Sequence, residues 1–178
     1  MTNTSNFLFK GLHILAWIIF VGLCIEAGAI IVNFAFCLFK PEMVQNLYQK
    51  LDLSELFQSS RLTFYIIYSF VIALSILKAI LFYIVIRLMH KMDLLKPFSN
   101  YVSDQILLLS YYTIAIGLLS YIARQFVTNL VQNSQEAFSL TQFWNDSQAF
   151  ILMGAIIYII AVIFRRGVVI QNENDLTI

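Results

Sequence analysis

Four long apolar runs constrain this chain more than any motif in it. A membrane-spanning helix needs about 20 predominantly apolar residues. Gly11 to Phe39 is interrupted by His13, Glu26 and Asn33, and Lys40-Pro41 ends it. Leu62 to Met89 is interrupted mainly by Lys78 and Arg87. Ile106 to Ala123 carries no charge and stops at Arg124, and Ala149 to Phe164 carries none and stops at Arg165-Arg166. The last run is extended at its start by Trp144-Asn145-Asp146, where Asn or Asp can cap a helix and Trp suits the headgroup layer. Half-buried strands would alternate apolar and polar residues, and none of these runs does. The expected fold is therefore all-α. It is an integral membrane four-helix bundle in a single domain, with spans at about residues 11–39, 62–89, 105–124 and 146–165 and a short tail at 166–178.

Composition points the same way. Hydrophobic residues make up 60% of the 178 positions and charged residues 12%, against about a quarter charged in an ordinary soluble domain. A net charge of +1 gives no reason to expect direct nucleic-acid binding. Cys24 and Cys37 fall in one apolar run, about 20 Å apart along a helix, too far for a disulfide. Ala27-Gly28-Ala29 has the small residues of a signal-peptide cleavage site. However, the apolar run continues past it and Glu26 sits inside what would be the signal's core, so an uncleaved first span is expected.

Orientation is read from Lys and Arg near span ends. With both termini inside, Lys10, Arg87, Lys91, Lys96, Arg165 and Arg166 face the cytoplasm, against Lys40, Lys50, Arg61 and Arg124 outside. Both termini are expected to be cytoplasmic. Between the spans, Met43, Leu47, Leu51, Leu56 and Phe57 fall near helical spacing, as in an amphipathic segment lying on the outer surface. Gln125 to Ser147 is polar with scattered Phe138, Phe143 and Trp144, again interfacial in character or simply a loop.

Charge inside a span is the strongest pointer to a site. A lone ionised side chain at the bilayer centre costs about 3 kcal/mol on insertion scales, and such groups usually face the bundle interior and pair. Glu26 lies about 24 Å above Lys10 on the first helix, and Lys78 about 20 Å above Lys91 on the second, which runs the opposite way. The two therefore fall at similar depth, within a lysine's reach, and an intramembrane ion pair between Glu26 and Lys78 is expected. The functional alternative makes Glu26 the titrating group of a small proton-coupled transporter or transporter accessory, as in four-span exporters with a glutamate in the first helix.

Other chemistry is sparse. His13 and His90 sit at comparable depth near the inner helix ends, as a haem held by two histidines requires, but their bulky flanks and interfacial position argue against it. No cluster has metal-ligand spacing, and no nucleophile–base arrangement or phosphate loop is present. No catalytic residue, metal or cofactor is expected, and the chain reads as a non-enzyme. Gly22, Gly28, Gly117 and Gly154 suggest close helix approach. Arg124 and Asp146 fall near the outer ends of the third and fourth helices and could pair there. A homo-oligomer is compatible with all of this.

Two elements at the cytoplasmic face remain. The loop HKMDLLKPFSNYVSDQ joins the second and third spans, and the tail FRRGVVIQNENDLTI follows the fourth. Arg165-Arg166 anchors the helix end at the headgroups, and Gly167 can break or bend the helix. The apolar-then-acidic strip beyond it reads either as a helix overhang packed on the bundle or as a docking peptide. IFRRGVVIQNENDLTI, with Lys96-Pro97-Phe98, resembles an uncharacterised family of small bacterial four-span membrane proteins, catalogued as a domain of unknown function. Its members are similar in length, with a Gly-x-x-x-Gln-x-Glu-x-Asp-Leu-Thr ending and a Pro-Phe in the middle cytoplasmic loop. They are often encoded beside a short helix-turn-helix regulator. The resemblance implies a bacterial inner-membrane protein that partners or senses for such a DNA-binding protein. Its contact residues would be Pro97, Phe98, Arg165, Arg166, Gly167, Glu173, Asp175, Leu176 and Thr177.

Overall fold

The computed structural model describes residues 3–40, 53–92, 97–130, 140 and 143–175. These form four long helices and one short one: α1 (Asn3–Phe39), α2 (Ser54–Ser59), α3 (Arg61–Lys91), α4 (Asn100–Leu130) and α5 (Ser147–Asp175). No strand occurs among the described residues. All four long helices are long and apolar enough to cross a membrane, as those of a multi-pass membrane protein are. At 1.5 Å per residue, α3 with its 31 residues is about 46 Å long, enough to reach through the headgroups on both sides of a ~30 Å core.

Local chemistry sets the helix ends. Pro41 disfavours helical dihedrals at Lys40, and α1 stops at Phe39, where the Lys40 amide still donates to the Phe36 carbonyl at 2.7 Å. Ser60 caps α3 from an extended backbone, its hydroxyl accepting from the Thr63 amide at 3.3 Å. Ser99 does the same for α4, accepting from the Val102 amide at 3.3 Å, immediately after Pro97-Phe98. α5 begins one residue after Asp146, whose carbonyl accepts from the Phe150 amide at 3.0 Å.

Three boundaries differ from the sequence reading. α1 starts eight residues before Gly11, because Asn3 to Lys10 contains no helix breaker. α4 runs past Arg124 to Leu130. α5 passes through Gly167 without a break and continues to Asp175, so the tail is an overhang of the last span. One glycine costs about 1 kcal/mol in a helix, too little to end one that has packing on both sides of it.

Packing follows chain order: α1 lies on α3, α3 on α4, and α4 on α5, with α2 folded back on α3. Successive long helices run antiparallel, so the first and last share an end. The α4–α5 seam is the closest. Along α5 the buried residues Ser147, Gly154, Ala161 and Val168 recur every seven positions. Opposite them α4 buries Ser103, Ser110, Thr113 and Ser120 around Gly117. Small residues at this spacing let backbones approach, which is how helices associate in lipid, where apolar side chains gain nothing by leaving the solvent. Two of the buried hydroxyls are satisfied within their own helix: Ser110 donates to Leu107 O at 2.8 Å and Thr113 to Leu109 O at 2.7 Å, whereas Ser147 Oγ is buried without a hydrogen-bond partner.

Two clusters form the core. The larger fills the end opposite the termini and joins Ile30 and Cys37 of α1 to Leu53 and Leu56, to Phe64, Ile67 and Val71 of α3, and to Ile116 and Val127 of α4. Leu140, Phe143 and Trp144 complete it, Trp144 being 2% exposed. Trp144 is thus a core residue, where the sequence reading set it among headgroups; an indole buries more surface than any other side chain available to close that end. The smaller cluster, Val102, Ile106 and Ala161, lies towards the termini. There α1 is covered on one side alone: from Phe7 to Ile25, Ala16 is the one buried residue among those described.

Candidate functional site

Mid-span, the antiparallel α1–α3 seam places its charges by register. Phe34 stacks on Tyr68 with ring centres 5.0 Å apart, and the Tyr68 hydroxyl donates to Ile30 O at 3.2 Å. Further towards the termini, Phe20 lies 5.9 Å from Tyr83 and His13 lies 6.3 Å from His90. Glu26 falls between Phe20 and Ile30, and Lys78 between Tyr83 and Tyr68. From the Phe20–Tyr83 contact, Glu26 is six residues along one helix and Lys78 five along the other, a difference of about 1.5 Å in level. Both are half-buried. Among the described residues no ion pair within 4 Å joins them, so they share a depth without touching.

At the end that holds the termini, the loop and the overhang meet. The Phe98 ring lies against Gly167, where an added β-carbon would come within 2.6 Å of Phe98 Cδ1. The same ring packs 5.2 Å from Phe164. Gly167 is therefore there to admit an aromatic ring, which explains a glycine in mid-helix better than a bend does. Pro97 precedes this contact and is half-buried, while Arg165, Arg166 and Glu173 are exposed around it. The backbone of Asp175 closes α5, and Leu176 and Thr177 lie outside the described residues. Of the residues expected at a partner surface, Pro97, Phe98 and Gly167 are brought together at one place.

Beside them the basic residues of α3 are held by aromatic rings. Lys91 Nζ stands 4.8 Å over the Tyr101 ring, and the Arg87 guanidinium 6.0 Å from that of Tyr83. The Tyr101 hydroxyl donates to Arg87 O at 3.5 Å. The Tyr83–Arg87 contact joins residues four apart on α3 and is legible in the sequence, whereas Tyr101 meets Lys91 only through the way the connection between α3 and α4 is made.

Other expectations resolve individually. Gly117 and Gly154 are sites of close approach, with an added β-carbon 2.6 Å from Ile151 Cγ1 and 2.5 Å from Ile114 Cγ1 respectively. Gly22 and Gly28 are not, having nothing within 4 Å. Arg124 and Asp146 are exposed, and among the described residues no ion pair joins them. Both cysteines are free thiols. Of the amphipathic segment, Met43, Leu47 and Leu51 lie outside the described residues, whereas Leu56 is buried in the core. No group of three or more His, Cys, Asp or Glu side chains is gathered among the described residues.

The chain matches no protein-family model, no curated protein and no solved structure.

Proposed function

We propose that the chain is a non-enzymatic membrane protein whose termini-bearing end docks a soluble partner on the cytoplasmic side of a bacterial inner membrane. A small helix-turn-helix regulator is the partner that the loop and tail residues suggest. The observation that carries this reading is the contact of Phe98 with Gly167. It joins the two segments singled out by their sequence at one place, with Arg165, Arg166 and Glu173 exposed on the same helix as Gly167 and an aromatic ring that is itself 38% exposed. Aromatic and arginine side chains are the residue types enriched at binding hot spots. Co-purification of the regulator in detergent, with and without the last eight residues and with Phe98→Ala, tests the reading. Retention should fall in both variants; undiminished recovery from the truncated chain would remove the overhang as the dock.

A second reading has an observation of its own. Glu26 and Lys78 are half-buried at one level of the spans with no ion pair between them, and an ionisable group inside a membrane is a functional site by default. In that reading Glu26 exchanges protons for a small transporter. Proton-coupled flux in liposomes that disappears with Glu26→Gln supports it, and absence of flux in the unmodified chain removes it.

A further inference from the structure

Docking at the termini-bearing end leaves open what neutralises Glu26 and Lys78 inside the membrane. The two share a level to within about 1.5 Å, and both are half-buried. Neither head is hydrogen-bonded or ion-paired among the described residues, and neither is enclosed, so both reach the surface of the chain.

Helical register says which surface that is. Ala27 and Ala79 are buried where α1 meets α3. The residues one step further along, Gly28 and Ile80, line an apolar groove on one flank of that contact. Glu26 and Lys78 are one step back, about 100° round each helix in the other sense. Because the helices are antiparallel, a step back along each turns to the same side, so both charges lie on the flank away from the groove. Nothing else in the chain covers this flank of α1 towards the termini. Leu15, Ile18 and Gly22 fall on the stripe of Glu26, at spacings of three or four residues. Leu15 is 50% exposed and Ile18 64%, and a β-carbon added at Gly22 meets nothing within 4 Å. On α3, Leu81 and Phe82, one turn beyond Lys78, are half-buried as it is.

One uncovered flank therefore carries an acid and a base at one depth. Lipid headgroups sit at the ends of the spans, so at mid-span the opposite charge comes from protein, and intramembrane charges do pair. A partner that supplies a base for Glu26 and an acid for Lys78, both at this depth, has the same two groups that this flank has. We propose that the flank binds a second copy of the chain, with Glu26 of each copy paired to Lys78 of the other. Copies that insert alike are related by a two-fold axis along the membrane normal, and such an axis leaves every residue at its own depth. In a two-fold interface each contact occurs twice, with the residues exchanged. Reciprocal pairing is thus open only to an acid and a base at equal depth, which is how Glu26 and Lys78 are placed.

Two measurements test this. Stepwise photobleaching of the singly labelled full chain, diluted in liposomes, counts the copies in each assembly. The unmodified chain is expected to bleach in two steps. The variant carrying Glu26→Ala with Lys78→Ala, which removes both charges and so does not burden insertion, is expected to bleach in one. A single step from the unmodified chain overturns the proposal, as do two steps undiminished in the neutral variant. Complementation in trans then separates pairing between copies from pairing within one. The Glu26→Lys chain carries two bases and the Lys78→Glu chain two acids, so an acid meets a base at both contacts only when the two chains associate. Co-expressed with different tags and solubilised in mild detergent, mixed pairs are expected to exceed same-variant pairs by at least about tenfold, because breaking a buried ion pair is strongly destabilising. Equal recovery of mixed and same-variant pairs overturns the proposal.

Discussion

A β-carbon built on Gly117 would lie 2.6 Å from Ile151 Cγ1 and 2.8 Å from the Ile151 backbone nitrogen, so a side chain there must displace the α5 backbone. Gly28 has nothing within 4 Å. Leucine at the two positions should therefore behave differently. Gly117→Leu is expected to destabilise by about 1–3 kcal/mol, the range for overpacking, whereas Gly28→Leu stays within about 0.5 kcal/mol. Thermal unfolding of each variant in the same detergent measures the difference. Tyr68 offers a second residue-level test, because its hydroxyl donates to Ile30 O from one helix to the next. Tyr68→Phe leaves the ring stack on Phe34 in place and removes the bond. The expected loss is about 0.5–1.5 kcal/mol, the net worth of a neutral hydrogen bond.

Between helices, the question is how α1 holds to the rest. It packs on α3 along a seam of aromatic pairs, and beyond the mid-span charges it has few other partners. Glu26 and Lys78 sit at one level of that seam, so their charges bear on how the two helices assemble in lipid. Glu26→Lys and Lys78→Glu are each expected to lower the yield of folded protein from membranes, since two like charges then share one mid-span level of the seam. The double swap restores it. Fluorescence-detected size exclusion of solubilised membranes measures this, and a double variant no better than either single one shows that the two groups act independently. The loop–overhang junction is a coupling of the same kind. Gly167→Leu evicts the Phe98 ring, so its cost should shrink when Phe98 is already alanine. A double-mutant cycle should give a coupling of at least about 0.5 kcal/mol, the lower bound for residues in contact.

At the scale of the whole molecule, four antiparallel spans place both termini on one side of a membrane. Single cysteines introduced at Thr2 and at Thr177, in a background with Cys24 and Cys37 replaced by alanine, should label alike with an impermeant maleimide: both from inside or both from outside. Opposite labelling would require an odd number of crossings. That much follows from the sequence alone, because backbone groups in hydrocarbon must be satisfied internally, and four long, predominantly apolar runs leave helices as the arrangement that does so. The shared depth of Glu26 and Lys78 was legible for the same reason, since a fixed rise per residue converts sequence distance into height. Lateral position was not. Rise says nothing about which face of a helix meets which neighbour, and that is decided by side-chain shape over many contacts at once. Hence the chain alone could nominate Gly22 and Gly28 beside Gly117 and Gly154, while packing selected only the latter two. The fold alone turned Gly167 from a presumed break into a seat for Phe98 and drew Trp144 into the core.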